Sequence, residues 1–161
     1  MRGGFQIRRA SAADADEIAR IHVAATRSAY RGIYSDAYLT ALSVDERLRA
    51  WTTECEGHLV TEDPDVAVFV AVAREGGHIL GFADVGPAAA PCSPRHAELH
   101  AIYLDPAHVG KGVGRELWQA CARHTKARGM STMVATVLSR NQRARDFYAR
   151  MGGQPLAPPN G

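Results

Sequence analysis

The chain has 161 residues, the length of a single domain with a full hydrophobic core. Hydrophobic residues make up 46% of it and charged residues 22%, a composition that excludes a disordered or fibrous protein. The longest apolar run, Val66–Ala73, is too short to span a bilayer, and no apolar signal segment follows the N-terminal charges, so no membrane association is expected. Three cysteines without metal-type spacing favour a reduced, cytoplasmic setting.

The net charge is only +2, but the charges are unevenly distributed. Residues 31–65 carry eight acidic and three basic side chains, whereas residues 105–150 carry nine basic and three acidic ones. This asymmetry favours one end that binds an anion and another that binds a cation, although two differently solvated surfaces would give the same pattern. Few aromatic residues accompany the basic ones, so no nucleic-acid partner is expected.

The hydrophobic pattern predicts strands and helices around one sheet. The predicted strands are Phe5–Arg9, Val66–Ala73, Ile79–Val85, Ala97–Leu104 and Thr132–Leu138, with a weak one at Leu59–Thr61. The predicted helices begin after the capping residues Ser11 and Ser43, the second reaching Gly57, and cover Glu116–Arg128 and Gln142–Met151. Tyr30–Tyr34 interrupts the first helix, Gly86–Pro94 is a loop, and Gln154–Gly161 contributes at most one further strand.

Three glycines at alternate positions, Gly110, Gly112 and Gly114, separate the strand Ala97–Leu104 from the next helix. Glycine lets backbone N–H groups approach a ligand, and a helix start adds unpaired amides, so the loop predicts a phosphate or diphosphate cradle. A bare strand-to-helix turn is the alternative. A P-loop is excluded because Lys111 is not followed by Ser or Thr, and a dinucleotide fingerprint does not fit because the third glycine comes one place early.

Four segments, Ile7–Asp14, Glu98–Pro106, Val109–Gly114 and Asn141–Tyr148, carry motifs in a fixed order. The third is similar to the loop Q/R-x-x-G-x-G/A, apart from its valine at the first position, and the fourth is similar to N-x-x-A-x-x-F-Y. Each motif alone is weak. Together they resemble the GNAT superfamily of acetyl-CoA-dependent N-acyltransferases over nearly the whole chain.

The resemblance implies a single N-acetyltransferase domain over residues 1–161, with a mixed α/β fold. A central mixed sheet of about six strands would be flanked by about four helices, with strands four and five (Ala97–Leu104 and Thr132–Leu138) splayed apart. The chain ends about where a sixth strand would stand, so no segment remains for a seventh. Because an unpaired sheet edge invites association, a homodimer is expected; a short sheet or a truncated chain are the alternatives.

The resemblance also implies acetyl-CoA as co-substrate. Main chain near the end of strand four would hold the pantetheine arm together with Asn141, and the glycine loop would hold the diphosphate, with charge added by Lys111 and Arg115. The residues so implied are Ile102, Tyr103, Leu104, Val109, Gly110, Lys111, Gly112, Val113, Gly114, Arg115 and Asn141. No metal site is expected, because His96 and His100 are four apart on a strand rather than on a zinc-binding helix.

By the same resemblance, an acceptor amine attacks the thioester directly in a ternary complex. Glu98 stands at the family's position for a general base. His100 is its partner or rival because the two residues share a face of the strand, and a water chain is a third possibility. Tyr148 matches the family's general acid, which protonates the leaving thiolate.

Tyr30 and Tyr34 are expected to bind the acceptor, a primary amine of a small molecule or of a protein. The acidic residues between Asp36 and Asp65 favour a cationic amine. Two other functions remain open: a non-catalytic acyl-CoA-binding or regulatory module on the same fold, and a dinucleotide-binding protein.

Overall fold

The computed structural model describes residues 4–52, 59, 61–88 and 96–156. Some sequence expectations fall on other residues and so lie outside the described part: those for Cys55, for Cys92, for the helix end at Gly57, for most of the loop Gly86–Pro94, for the middle of Leu59–Thr61 and for residues 157–161.

One mixed sheet forms the centre of the domain, with its strands in the order β1-β2-β3-β4-β5. These strands are β1 (Phe5–Arg9), β2 (Ala67–Ala73), β3 (Ile79–Pro87), β4 (His96–Leu104) and β5 (Thr132–Val134). Strands β1 to β4 pair antiparallel with one another in this order. Strand β5 instead runs parallel to β4. A parallel pair needs a crossover connection, which the helix between β4 and β5 supplies. The predicted mixed α/β architecture is confirmed.

Five α-helices flank this sheet in the described residues, against the four expected. They are α1 (Ala15–Ala29), α2 (Asp36–Ala41), α3 (Val44–Thr52), α4 (Val113–Ala127) and α5 (Gln142–Arg150). None of the helices in this part of the chain is long and apolar enough to cross a membrane.

The core lies in two layers, one on each face of the sheet. On one face, α4 contributes the fully buried Leu117 and Cys121, which pack against residues such as Ala71. On the other face, α1 and α3 contribute Ile18 and Trp51, which pack against Val70. Adjacent residues of β2 thus enter opposite layers, which confirms that this continuous apolar run is a strand covered on both faces.

The short helix α2 is an element that the hydrophobic pattern did not predict. The hydroxyl of Ser35 accepts a hydrogen bond from the Tyr38 amide at its N terminus. At its C terminus, the Arg27 guanidinium donates to the carbonyls of Leu39, Thr40 and Leu42. A helix this short is marginal without tertiary support, and that support comes from a residue on α1.

The last strand is shorter than predicted, and this opens a cleft beside β4. The prediction of a strand over Thr132–Leu138 was wrong beyond Val134, where pairing with β4 ends at Glu98. Strand β4 continues to Leu104 without a partner on that side, so the two strands splay apart as expected. The sheet has five strands in the described residues rather than about six, since residues 153–156 form no strand.

Candidate active site

A cleft of about 710 Å³ opens where β4 and β5 separate. One wall is the free edge of β4 from Leu99 to Leu104, and the opposite side is formed by Thr136, Val137 and α5. The end of α1, from Ala25 to Tyr30, covers one end of the cleft, and the glycine loop forms the other. The predicted site residues that line it are Tyr30, His100, Ile102, Tyr103, Leu104, Val109, Gly110, Gly112, Gly114, Arg115, Asn141 and Tyr148.

The glycine loop has the geometry of an anion cradle. Gly110 and Gly112 have φ angles of 83° and 85°, values that L side chains rarely adopt. The space beside both is open, because a Cβ atom added at either would have no neighbour within 4 Å. Helix α4 begins at Val113, and no described side chain caps its N terminus, so its first-turn amides are free to bind an anion. Lys111 is exposed and does not line the cleft.

Three arginines line the cleft, and none of its described lining residues is acidic. Arg115 lies in the first turn of α4, and Arg143 and Arg150 lie on α5. The sequence reasoning missed Arg143 and Arg150. Their spacing of seven residues places both on one face of the helix, but the sequence does not show that this face meets the cleft. The described lining of the cleft is therefore positively charged.

Tyr148 lies half-buried between α4 and the cleft. Its ring packs 6.1 Å from Trp118 and 5.4 Å from Phe147. Burial raises the pKa of Tyr148 to about 12, and the neighbouring Tyr30 raises it further in the same direction. The phenol therefore keeps its proton throughout the physiological pH range.

Two further tyrosines, Tyr30 and Tyr103, line the cleft near Tyr148. Burial raises the pKa of Tyr103 well above its ordinary value, and a hydrogen bond to Tyr30 adds to the shift. Tyr34 does not line the cleft but stacks on Tyr30, with ring centroids 4.9 Å apart. Tyr30 thus forms part of the wall, and Tyr34 supports it from outside.

Glu98 and His100 form a hydrogen-bonded pair on β4. The Glu98 Oε2 atom lies 3.1 Å from His100 Nδ1, and the two side chains are 32% and 29% exposed. A β-bulge leaves His100 between the paired residues Leu99 and Ala101, and such bulges redirect side chains beside active sites. His100 lines the cleft and Glu98 does not, so the carboxylate reaches the cleft only through the imidazole.

Asn141 is held at the start of α5. Its Oδ1 accepts a hydrogen bond from the Ala144 amide, and the residue is buried at the edge of the cleft. The side-chain amide nitrogen is therefore the part that is left to donate to a ligand.

Histidine and acidic side chains form no cluster of three or more that could hold a metal in the described residues. His96 Nδ1 instead contacts the hydroxyl of Thr132 on the neighbouring strand.

The acetyltransferase (GNAT) family model matches residues 23–153. The chain belongs to the GNAT family. A relative of known sequence, the uncharacterized N-acetyltransferase YuaI of Bacillus subtilis, is 30% identical over 136 residues, which are 84% of this chain and 72% of YuaI. The chain spans about half the length of two further curated relatives, 48% in each case. The expectation of an N-acetyltransferase is thereby confirmed at the level of the family.

Solved structures show the same GNAT fold. The PaiA N-acetyltransferase from Thermoplasma acidophilum in complex with coenzyme A superposes with a TM-score of 0.74 at 22% identity, covering 91% of this chain and 87% of that one. The Salmonella typhimurium protein YncA with its cofactor acetyl-CoA has a TM-score of 0.70 at 26% identity, covering 96% and 82%.

Proposed function

We propose that this GNAT protein transfers an acetyl group from acetyl-CoA to a primary amine by direct attack in a ternary complex. The observation that carries the proposal is the division of the cleft into two chemically different ends. One end has open backbone amides with Arg115 beside them, and Arg143 and Arg150 add positive charge along α5. The other has a buried, protonated phenol and an imidazole. Acetyl-CoA carries its phosphates at one end and its thioester at the other, which is the order that the proposed arrangement of the cleft requires.

The cofactor end binds through main chain and cations. Amides of residues 109–114 bind the diphosphate, and Arg115, Arg143 and Arg150 balance its charge. The pantetheine arm adds to the free edge of β4 at Ile102, Tyr103 and Leu104, much as a further strand would, and the Asn141 amide nitrogen donates to it. Lys111, which is exposed, contributes long-range charge only.

In this reaction the attacking amine must lose one proton and the departing thiolate must gain one. His100 accepts the proton of the attacking amine while the nitrogen bonds to the acetyl carbon. Glu98 is a positioning residue, because its carboxylate holds the imidazole from outside the cleft. As the carbon–sulfur bond breaks, the Tyr148 hydroxyl gives its proton to the departing thiolate. The products are the N-acetylated amine and free coenzyme A.

We also propose that two copies associate through the β5 edge of the sheet. Strand β5 has only three residues and no strand on its outer side in the described part of the chain. Unpaired edges of this kind favour pairing with a second chain.

Calorimetric titration with acetyl-CoA, followed by mass spectrometry of amines incubated with carbon-13-labelled acetyl-CoA, tests the proposal. Labelled N-acetyl product and release of the free thiol are expected.

Arg143→Gln and Arg150→Gln should each weaken acetyl-CoA binding by about tenfold, because each removes a charge-assisted contact. Arg145→Gln is the matched control, since Arg145 lies on the same helix but donates to the Ser139 carbonyl instead. Binding without turnover of any amine would identify a non-catalytic acyl-CoA module instead.

A further inference from the structure

The turn that follows α1 contacts both walls of the cleft. It consists of residues 30–34, which we call the strap. The amides of Ile33 and Tyr34 both donate to the Tyr30 carbonyl, at 2.9 and 3.0 Å, so the strap is a compact turn. Tyr30 lines the cleft, and the Tyr34 ring stacks on it.

On the β4 side, the strap makes its contact through Tyr30. Burial raises the pKa of Tyr103 and of Tyr148, and Tyr30 is close enough to add to both shifts. Tyr103 belongs to β4 and Tyr148 to α5, and all three residues line the cleft. The strap therefore lies at the end of the cleft that holds the proposed proton donor, which we call the acceptor end.

On the opposite side, an arginine holds the strap. The Arg140 guanidinium donates a hydrogen bond of 2.8 Å to the Gly32 carbonyl, although the two residues are 108 apart in the chain. Arg140 lies in the connection from β5 to α5, between the lining residues Val137 and Asn141. The bond thus joins the strap to the wall that faces β4. Arg140 does not itself line the cleft.

Burial does little to anchor the strap. In residues 31–38, all of which the structure describes, no side chain is buried, and the next buried residue is Leu39 on α2. A segment that buries so little apolar surface has a low local stability. Its position therefore depends on specific contacts such as the one from Arg140.

The part of α1 that lines the acceptor end before the strap is small and uncharged. It contributes Ala25, Ser28 and Ala29. The acidic side chains between residues 36 and 65 that the structure describes do not line the cleft, which gives no support to the expectation of a cationic acceptor. A wall of this kind selects an acceptor by the room that it leaves rather than by charge.

We propose that the strap closes the acceptor end of the cleft and that Arg140, by holding the strap in place, restricts the acceptor to small primary amines. This inference rests on the proposed acetyl transfer. Arg140 is a positioning residue, because its bond to Gly32 fixes how far Tyr30 stands from the wall that faces β4. Without the bond the strap moves outwards more readily, and a bulkier amine reaches His100 and Tyr148.

Hydrogen–deuterium exchange read by mass spectrometry tests the bond and needs no acceptor. In Arg140→Ala, peptides that contain the amides of Ile33 and Tyr34 should exchange about fivefold faster, the effect of one lost hydrogen bond, while α1 and α4 exchange as in the wild-type protein. Arg140→Lys keeps a charged donor and should retain part of the protection.

Gln142→Ala is the matched control for the exchange experiment. Gln142 is exposed two residues away, and its side-chain amide donates to Asp146 within α5 instead of crossing the cleft. Unchanged exchange of the strap in Arg140→Ala, or the same rise in Gln142→Ala, would overturn the inference.

The size limit is tested by kcat/KM for propylamine, benzylamine and diphenylmethylamine, which carry increasing bulk beside one primary amino group. We expect the wild-type protein to favour the smallest. Arg140→Ala should raise kcat/KM for the bulkiest amine relative to the smallest by about fivefold, with the KM for acetyl-CoA unchanged. An unchanged ratio, a wild-type preference for the bulkiest amine, or a raised KM for acetyl-CoA would overturn the size limit and leave the proposed acetyl transfer standing.

A different result would count against the proposed function itself. Absence of acetyl transfer to every amine, in the wild-type protein and in Arg140→Ala, would reject that function and the size limit with it. The exchange measurement would still decide whether Arg140 holds the strap.

Discussion

At the scale of single residues, burial keeps the phenol of Tyr148 in the protonated form that its proposed role as a proton donor requires. Its pKa, raised to about 12 by burial, keeps the hydroxyl protonated wherever the enzyme is folded and active. We expect Tyr148→Phe to lower kcat by about a hundredfold, since the ring and its packing remain and only the donor is lost. The KM for acetyl-CoA and the thermal unfolding midpoint should change little. A variant with full kcat would remove Tyr148 from the mechanism.

The Glu98–His100 pair makes a second prediction at this scale. If Glu98 acts only through the imidazole, His100→Gln should cost more kcat than Glu98→Gln, by roughly tenfold, and the double variant should be no worse than His100→Gln alone. Steady-state kinetics of the three variants measure this non-additivity. Fully additive losses would show instead that the carboxylate acts independently of the imidazole.

Residue-level prediction from the sequence works where a motif fixes the position of a side chain. Asn141 and Tyr148 stand at motif positions, and both line the cleft as expected. Arg143 was not predicted, because the face that α5 turns to the cleft depends on how the helix docks. That docking is visible only in the structure, where the Phe147 ring packs so closely on Gly114 that a Cβ there would lie 3.1 Å from it.

At the scale of elements, the proposed function assigns the binding of acetyl-CoA to the loop before α4. Gly112→Ala should destabilise the fold by about 1–2 kcal/mol, because alanine is strained at a φ of 85°. It should also raise the KM for acetyl-CoA several-fold by shifting the amides. Gly77→Ala is the matched control: Gly77 has a φ of 71° and open space around it, but it lies in the β2–β3 turn. An equal effect of both substitutions on KM would contradict the assignment of the loop.

Elements with a strong hydrophobic pattern of their own, such as the continuous apolar run of β2 and the amphipathic helix α4, were predicted within a few residues. Two elements were not, and each depends on tertiary contacts. Helix α2 needs Arg27 to bind its last carbonyls. The segment after Val134 has a composition that favours a strand, yet it separates from β4 and forms no hydrogen-bonded strand pairing with it. It therefore lines the cleft instead of extending the sheet.

At the scale of the whole molecule, His22 couples the stability of the fold to pH. Burial, with a contribution from Arg47, lowers its pKa from 6.5 to about 4. The unfolded chain therefore binds this proton more readily, and stability falls as the pH drops from about 6.5 towards 4, by at most about 3 kcal/mol. Urea unfolding across this range should show a shallower loss for His22→Gln than for the wild-type protein. His78→Gln, at an exposed turn, is the control and should follow the wild-type curve; parallel curves for all three would contradict this account.

The proposed association through the sheet edge is tested by light scattering at micromolar concentration. We expect twice the mass of one chain, because the outer edge of β5 carries no strand in the described residues. A monomeric mass would contradict the proposal without affecting the assignment of the cleft.

The most direct test of the central claim is a crystal structure of the protein with acetyl-CoA bound. The account predicts the diphosphate on the amides of residues 109–114, the pantetheine arm along β4 from Ile102 to Leu104, and the thioester sulfur within hydrogen-bonding reach of the Tyr148 hydroxyl. Acetyl-CoA bound outside the cleft, or inside it with the thioester directed away from Tyr148 and His100, would contradict it.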